Sequence, residues 1–409
     1  MTPAPQELAM WRRVHVADVC ETVSVGIVIQ PSQYYVAPSQ GIRAFRSANI
    51  GENRVVDRDW VYLSPEGHRA NLKSSLKAGD VLVVRSGAPG TACVVTEEYA
   101  GSNCIDIVFA RPHQGQVLPE YLAEFTNSPV GRRHVLGTQG GLALKHFNVS
   151  AYKQLELLLP EIAEQKRIVD LFAAWNTAIQ KTEQLIAAKE RHYTHELSRL
   201  ISRGHHPRSH DGSFAHEIAE RNRGGKWRTV ALSDIATVWK GQQLNKDAMV
   251  EDGTYYALNG GIKPSGRTTE WNCEAETITI SSGGNSCGFI RFNPERFWCG
   301  GDCFALKKLS PDVDVSYLFH YLKGQQHRMM ALRTGSGIPH VYRADVEAFP
   351  VVLPDFATQT AIARYLNALR EEIDLLGQSL AALKRQKRGL MQKLLTGQWR
   401  MPNKEGVQT

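Results

Sequence analysis

Glu164, Gln165 and Lys166 stand together near the middle of the sequence. An acid and a lysine one residue apart form half of a motif used by metal-dependent nucleases. The other half is a nearby strand-borne aspartate, and none is evident. The matching stretch later in the chain reads Thr358-Gln359-Thr360, so a charge cluster at a helix start is the better reading. His205, His206, His210 and His216 fall within twelve residues and invite a metal. Their Pro, Ser, Asp and Gly neighbours favour a solvated connector. Cys287, Cys299 and Cys303 have neither a C-x2-C pair nor an obvious fourth ligand, which makes a poor zinc site. They read as small apolar residues on buried strands. Thr334-Gly335-Ser336-Gly337 lacks the preceding strand and downstream acid of a dinucleotide or S-adenosylmethionine site. There is no P-loop, no H-E-x-x-H, no G-x-S-x-G and no [DNS]-P-P-[YF] run. The sequence therefore assigns no catalytic residue and no metal ligand.

Composition narrows the alternatives. The chain has 409 residues, of which 42% are hydrophobic and 22% charged. That excludes a disordered or collagen-like protein and suggests two or three domains. No apolar run approaches the roughly 18 to 20 residues that span a bilayer, and residues 1–10 do not resemble a secretory signal. Seven cysteines, an odd number, argue against a disulfide framework and for a reducing compartment, most simply the cytoplasm. Lys plus Arg exceed Asp plus Glu by 48 to 41, an excess that suits a polyanionic partner.

The elements that must position any site are repeated. Trp11-Arg12-Arg13-Val14 returns as Trp227-Arg228-Thr229-Val230, and residues 79–87 return as 276–283. Both members of the second pair are β-branched runs ending in a glycine turn, which reads as strand then loop. Asn103-Cys104-Ile105 matches Asp302-Cys303-Phe304, and Glu120-Tyr121-Leu122 matches Ser316-Tyr317-Leu318. Thr138-Gln139-Gly140-Gly141 aligns with Thr334-Gly335-Ser336-Gly337. Leu159-Pro160-Glu161 through Gln165 parallels Leu353-Pro354-Asp355 through Gln359.

From there both copies run as long helices. Ile362, Leu366, Leu369, Ile373, Leu376, Leu380 and Leu383, then Leu390 and Leu394, form a heptad seam interrupted at Lys387. The first copy keeps the register 194 residues earlier, with Thr182 and Lys189 as polar interruptions. Each helix begins at a proline and stops at a glycine, Gly204 or Gly397. At 1.5 Å per residue each is a rod of about 60 Å. No small domain buries so long a stripe, so the helices are expected to pair with each other. The expected fold is α+β, with two similar recognition domains separated by two long antiparallel coiled-coil helices about a pseudo-twofold axis. The expected domains are 1–160, helix 161–203, linker 204–225, domain 226–354, helix 355–397 and tail 398–409.

A DNA reader needs cations for phosphates and planar polar groups for base edges. Candidate phosphate contacts are Arg43, Arg46, Arg85, Arg132, Arg133 and Lys145 in the first half, and Lys240, Lys263, Arg267, Arg328, Arg333 and Arg343 in the second. Gln139, His146, Gln242, Gln243 and Asn285 are candidates for bases, and His340 is a further candidate DNA contact. The glycine loops after Arg85 and Ser282 and around Gln139 and Ser336 suit close backbone approach. The second helix ends in a basic run with Lys384, Arg385, Lys387, Arg388, Lys393 and Arg400.

Two repeats that each end in Leu-Pro, a glutamine and a long helix resemble the specificity subunit of type I restriction-modification systems. The residues that carry this are Leu159-Pro160-Glu161-Ile162-Ala163-Glu164-Gln165-Lys166-Arg167-Ile168-Val169 and the run Lys387-Arg388-Gly389-Leu390-Met391-Gln392-Lys393-Leu394-Leu395-Thr396-Gly397. The resemblance implies that each globular half reads one part of a split DNA site and that the helices set the unread gap. It implies docking of two methyltransferase subunits, which hold S-adenosylmethionine and methylate adenine. Restriction subunits using ATP and Mg would join them. Gln165, Gln359, Lys387, Arg388 and Lys393 are the expected partner contacts. The chain itself would catalyse nothing and bind no cofactor. The competing readings are a diverged methyltransferase or nuclease with its own site, and a coiled-coil scaffold for proteins.

Overall fold

A computed structural model describes residues 11–137, 148–201, 227–335 and 339–402. Gln139, Lys145 and His146, the histidine-rich connector and the Ser336-Gly337 turn lie outside the described residues. The chain divides into two compact units, 1–183 with 378–409, and 184–377. The division falls inside the long helices, so each unit takes one globular half and part of both helices.

In unit 1, β1 (Arg12–His15) pairs antiparallel with β11 (Glu156–Leu159) and closes the domain on itself. Strands β2 (Cys20–Val25), β10 (Ile107–Pro112), β7 (Val81–Val84) and β8 (Ala92–Val94) form an antiparallel sheet in that order. A second sheet has the order β6 (Val61–Leu63), β3 (Ile42–Phe45), β9 (Asn103–Cys104), and its β3·β9 pair is parallel. A small hairpin joins β4 (Ile50–Gly51) to β5 (Arg54–Val55). All four residues of β7 are buried, as an unbroken Val-Leu-Val-Val run demands of a strand covered on both faces.

Unit 2 repeats this plan. Strand β12 (Arg228–Ala231) pairs with β20 (Pro350–Leu353). The four-stranded sheet is β13 (Thr237–Lys240), β19 (Cys303–Lys307), β16 (Thr277–Ser281), β17 (Ile290–Asn293). The three-stranded sheet is β15 (Gly266–Thr268), β14 (Tyr255–Leu258), β18 (Phe297–Cys299), with β14·β18 parallel. Strand β16 is wholly buried although it alternates Thr with Ile. Its hydroxyls are satisfied: Thr277 donates to the Glu274 carbonyl (2.8 Å), and Thr279 accepts from Asn293 Nδ2 (3.0 Å).

This topology corrects one of the repeat matches. Cys104 ends β9 and lies opposite Phe45 in the parallel pair, whereas Cys303 opens the antiparallel strand β19. The counterpart of Cys104 is Cys299, which lies opposite Leu258 at the end of β18. Two glycines mark the true register. Gly26 N–H donates to Ile107 O and Ile27 N–H to Cys104 O; Gly241 N–H donates to Cys303 O and Gln242 N–H to Cys299 O. A Cβ on Gly26 would stand 2.1 Å from Cys104 O, and one on Gly241 would stand 2.2 Å from Gly300 O. Only glycine allows either crossing. All seven cysteines are free and buried.

Four helices matter for the site. These are α1 (Pro119–Asn127), α2 (Ile162–Ile201), α3 (Val315–Gly324) and α4 (Phe356–Leu394). Tyr121 on α1 donates to Leu158 O, and Tyr317 on α3 donates to Val352 O, both at 2.7 Å. Each tyrosine ties its helix to the strand that leads into a long helix. Within unit 1, Asn176 and Glu183 of α2 meet Lys387 and Lys384 of α4, at 2.6 and 2.7 Å. Within unit 2, Lys189 meets Glu372 at 2.8 Å. Residue numbers rise on one helix as they fall on the other, so the contacts in unit 1 are antiparallel. Their apolar stripes join the domain cores. Ile168, Phe172, Met391 and Leu394 complete the core of unit 1, while Leu197, Ile362, Leu366 and Ile373 complete that of unit 2. Among the described residues no helix is long and apolar enough to cross a membrane.

Candidate nucleic-acid interface

At one edge of unit 2 the ends of five segments converge. Gly283 bridges to His340, Gly284 N–H donates to Pro339 O (3.0 Å), and Ser282 N–H donates to Asp302 O (2.8 Å). Ser281 Oγ reaches Gly260 O at 2.5 Å, and Asp302 N–H reaches Asn259 Oδ1 at 3.3 Å. Trp298 Nε1 donates to Gln242 O (2.9 Å) and holds the loop after β13 against the same cluster. The result is a glycine-rich edge, with Gly260, Gly283, Gly284, Gly300 and Gly301 between exposed polar side chains. Gln242, Gln243, Asn285, Asp302 and His340 are all exposed there. Amides, a carboxylate and an imidazole on a backbone this thin can approach base edges closely.

Unit 1 presents the equivalent edge with other side chains. Ile105 N–H donates to Phe45 O (2.9 Å) and Asp106 N–H to Ile27 O (3.0 Å), which draws together the ends of β2, β3 and β9. Arg85, at the end of β7, forms an ion pair with Asp106. By the Gly26–Gly241 register, Val28 occupies the place of Gln243. Val28 is 52% exposed and Ile29 75% exposed. Each edge is therefore the same scaffold carrying different chemistry.

The remaining cations fall into two groups. Some brace the fold. Arg43 lies over the rings of Trp60 and Tyr99, at 5.7 and 5.6 Å. Arg46 donates to Asp59 O. Arg132 donates to Pro89 O (2.8 Å) and Thr91 Oγ1 (3.0 Å) and so pins the loop after β7. Arg267 holds Gly253 O and Thr254 O, at 2.5 and 2.9 Å. Arg328 lies over Phe349, and Arg343 pairs with Glu347 at 2.7 Å. The others, Arg133, Lys240, Lys263 and Arg333, are exposed.

The expected partner contacts need correction. Gln165 and Gln359 do not face outward; they are 0% and 1% exposed. Gln165 Oε1 accepts from Leu118 N–H (2.8 Å), and its Nε2 donates to Gln116 O and Pro160 O, at 3.0 and 2.9 Å. Gln359 repeats this with Asp314 N–H, Asp312 O and Pro354 O, each at 3.0 Å. A buried amide that satisfies three backbone groups is a structural clasp, with nothing left for a partner. Lys387 is buried too, 3.1 Å from Glu124 Oε2. Arg388 and Lys393 are exposed.

Sequence reasoning also missed Asn259, Asp302, Val28 and Ile29 at the loop edges. The doublets Gly260-Gly261 and Gly300-Gly301 beside the first two were the signal in the sequence. For Val28 and Ile29, only the register through Gly26 reveals the position. Glu164 is no nuclease carboxylate. Its oxygens accept from Trp11 Nε1 (3.1 Å) and from Arg400 (2.7 and 2.8 Å). Among the described residues no three His, Cys, Asp or Glu side chains stand together as a metal site.

Two α+β units of one repeated design, each with a glycine-rich loop edge and a share of two long helices, define a duplicated protein. The family of type I restriction modification DNA specificity domains matches residues 224–385. A type I specificity subunit of Mycoplasma pneumoniae is 30% identical over 43% of this chain and 47% of its own length. One from Mycoplasma genitalium is 31% identical over 36% of this chain and 39% of its own. The matches thus span about half the length of these relatives, or less. The specificity subunit of the MjaX type I restriction enzyme of Methanocaldococcus jannaschii is 20% identical over 96% of this chain and 94% of its own. In fold, the crystal structure of a type I restriction-modification S subunit from M. genitalium superposes with a TM-score of 0.62 at 16% identity, covering 97% of this chain and 99% of the other. Residues 224–385 thus resemble the type I specificity domain in sequence, and the chain shares the fold of a type I S subunit.

Proposed function

We propose that this chain is the sequence-reading subunit of a type I restriction-modification complex, with each unit reading one half of a split double-stranded DNA site. The observation that carries this is the repeated loop edge, one scaffold bearing Val28 and Arg85 in unit 1 and Gln243, Asn285 and His340 in unit 2. Two copies of one reader with different side chains suit two unlike half-sites. Each correct base contact adds about 1 to 3 kcal/mol of discrimination, and joining two modest readers raises affinity through effective concentration. The long helices, shared by both units, set the gap between the half-sites.

The chain performs no catalysis and binds no cofactor in this reading. It works in the cytoplasm, docked to two methyltransferase subunits that carry S-adenosylmethionine and methylate adenine. Restriction subunits bring ATP and Mg. The exposed Arg388 and Lys393 on α4 are suited to an acidic partner surface or to DNA. Reconstitution with the methyltransferase subunits tests this. The complex methylates adenines in one split sequence, its affinity falls steeply with salt, and this chain alone neither methylates nor cleaves. Methylation or cleavage by the isolated chain would favour an enzyme with its own site, and salt-insensitive association without DNA binding would favour a scaffold.

A further inference from the structure

The two domains seat their helices on equivalent positions with opposite chemistry. Tyr121 and Tyr317 mark the same place on α1 and α3, so Glu124 and His320, each three residues on, are equivalent. Gln165 and Gln359 mark the same place on α2 and α4, so Tyr193 and Lys387, each 28 residues on, are equivalent. Within unit 1, Lys387 meets Glu124 with side chains 8% and 4% exposed. Asn176 of α2 completes the junction, donating to Glu124 Oε1 (2.7 Å) and accepting from Lys387 Nζ (2.6 Å). Within unit 2, Tyr193 Oη lies 2.9 Å from His320 Nδ1, and Asn367 Oδ1 lies 2.8 Å from Nε2. A neutral imidazole fits both contacts, donating from Nε2 and accepting at Nδ1. Burial pushes the His320 pKa down to about 4, which keeps the ring neutral.

We infer that these junctions act as two non-interchangeable addresses: the Glu124 face accepts only a helix bearing lysine, the end of α4, and the His320 face only one bearing tyrosine, the end of α2. The need arises from the duplication. Both domains share the glutamine clasp, the tyrosine tie and the apolar stripe, so nothing else in that set tells the helix segments apart. A duplicated chain with such equivalent seats is open to exchange with a second copy. An exchanged seat would set Tyr193 against Glu124, leaving a buried carboxylate without its counter-charge, and Lys387 against a neutral ring. Removing one partner of a buried ion pair is far costlier than replacing both. A second observation agrees. Lys384, which meets Glu183 at 2.7 Å, has Glu190 as its equivalent on α2. Pairing α2 with the α2 of another copy would set Glu183 against Glu190, two like charges.

The test uses the full chain. Glu124→His and Lys387→Tyr singly each lower the melting midpoint by about 5 to 10 °C. Combined, they give unit 1 the neutral tyrosine–histidine pair of unit 2 and recover most of that loss. The combined variant, refolded from urea beside the wild type at matched concentration, then yields an added concentration-dependent population of dimers and larger species by light scattering. His320→Glu with Tyr193→Lys, which gives unit 2 the charged junction, does the same. A combined variant no more stable than its singles would overturn the matched-pair assignment. A combined variant that recovers stability yet refolds to the same distribution as wild type would overturn the address.

Discussion

Gln165 and Gln359, 194 residues apart, hold the same three backbone groups in their own units. Each amide accepts from the N–H at the start of a domain helix and donates to the proline carbonyl five residues before it. The Leu-Pro motif and its glutamine are thus one device that sets the angle at which a long helix leaves its domain. Gln165→Leu keeps the volume but strands one N–H and two carbonyls away from water. The expected cost is about 2 to 4 kcal/mol, read as a lower urea midpoint, and Gln359→Leu costs the same. An unshifted midpoint would mean the clasp is ornamental.

Glu164 explains why the second copy departs from the first. Burial alone would raise the Glu164 carboxyl, but hydrogen bonds from Arg400 and Trp11 outweigh it and hold the group below the usual carboxylate range. Glu164 therefore clamps the segment after α4. Its equivalent, Thr358, instead donates its N–H (2.9 Å) and its hydroxyl (2.7 Å) to the carboxylate of Asp355, which caps the start of that helix. Arg400→Ala releases the clamp and costs about 2 kcal/mol near neutral pH. Because the folded carboxyl is the stronger acid, this contribution is present above the unfolded value and fades as pH falls through the folded one. Urea titrations of variant and wild type converge in acid if this is right.

His320 gives a second pH signature. The ring faces Tyr193, Asn367 and Phe319, with Arg370 and Asp314 as the nearby charges. Its pKa falls from 6.5 to about 4, chiefly by burial. The unfolded chain therefore binds the proton more readily between those values. Stability is full above about pH 6.5 and is lost as pH falls towards 4, by up to about 3 kcal/mol. His320→Asn removes this slope, and a variant with the wild-type slope between pH 6.5 and 4.5 would assign it to another group.

The loop edges predict separable effects on DNA. Gln243→Ala, Asn285→Ala and His340→Ala relax the sequence read by unit 2, by about 1 to 3 kcal/mol for each base left without its hydrogen bond, and leave the other half-site unchanged. Lys240→Ala weakens binding across all sequences and flattens the salt dependence by about one phosphate. Methylation rates on single-base variants of the site distinguish the two outcomes.

These particulars show what a sequence can and cannot disclose. The helices were legible because a heptad seam repeats over many turns and so fixes the period. The Leu-Pro-glutamine motif was legible too, but its role was misplaced, since nothing local tells an inward amide from an outward one. The match of Cys104 with Cys303 failed because register in short apolar strands is set by backbone pairing, which the Gly26 and Gly241 crossings fix and residue identity does not. The Lys387 junction was hidden: its carboxylate lies 263 residues away, and its counterpart in unit 2 pairs a tyrosine with a histidine.

The most direct test exchanges residues 1–150 for those of a relative with a different target and maps methylated adenines in cells that also express the methyltransferase. The account predicts that one half of the methylated sequence changes while the other half and the gap stay as they were. Change in both halves, or in neither, would contradict it.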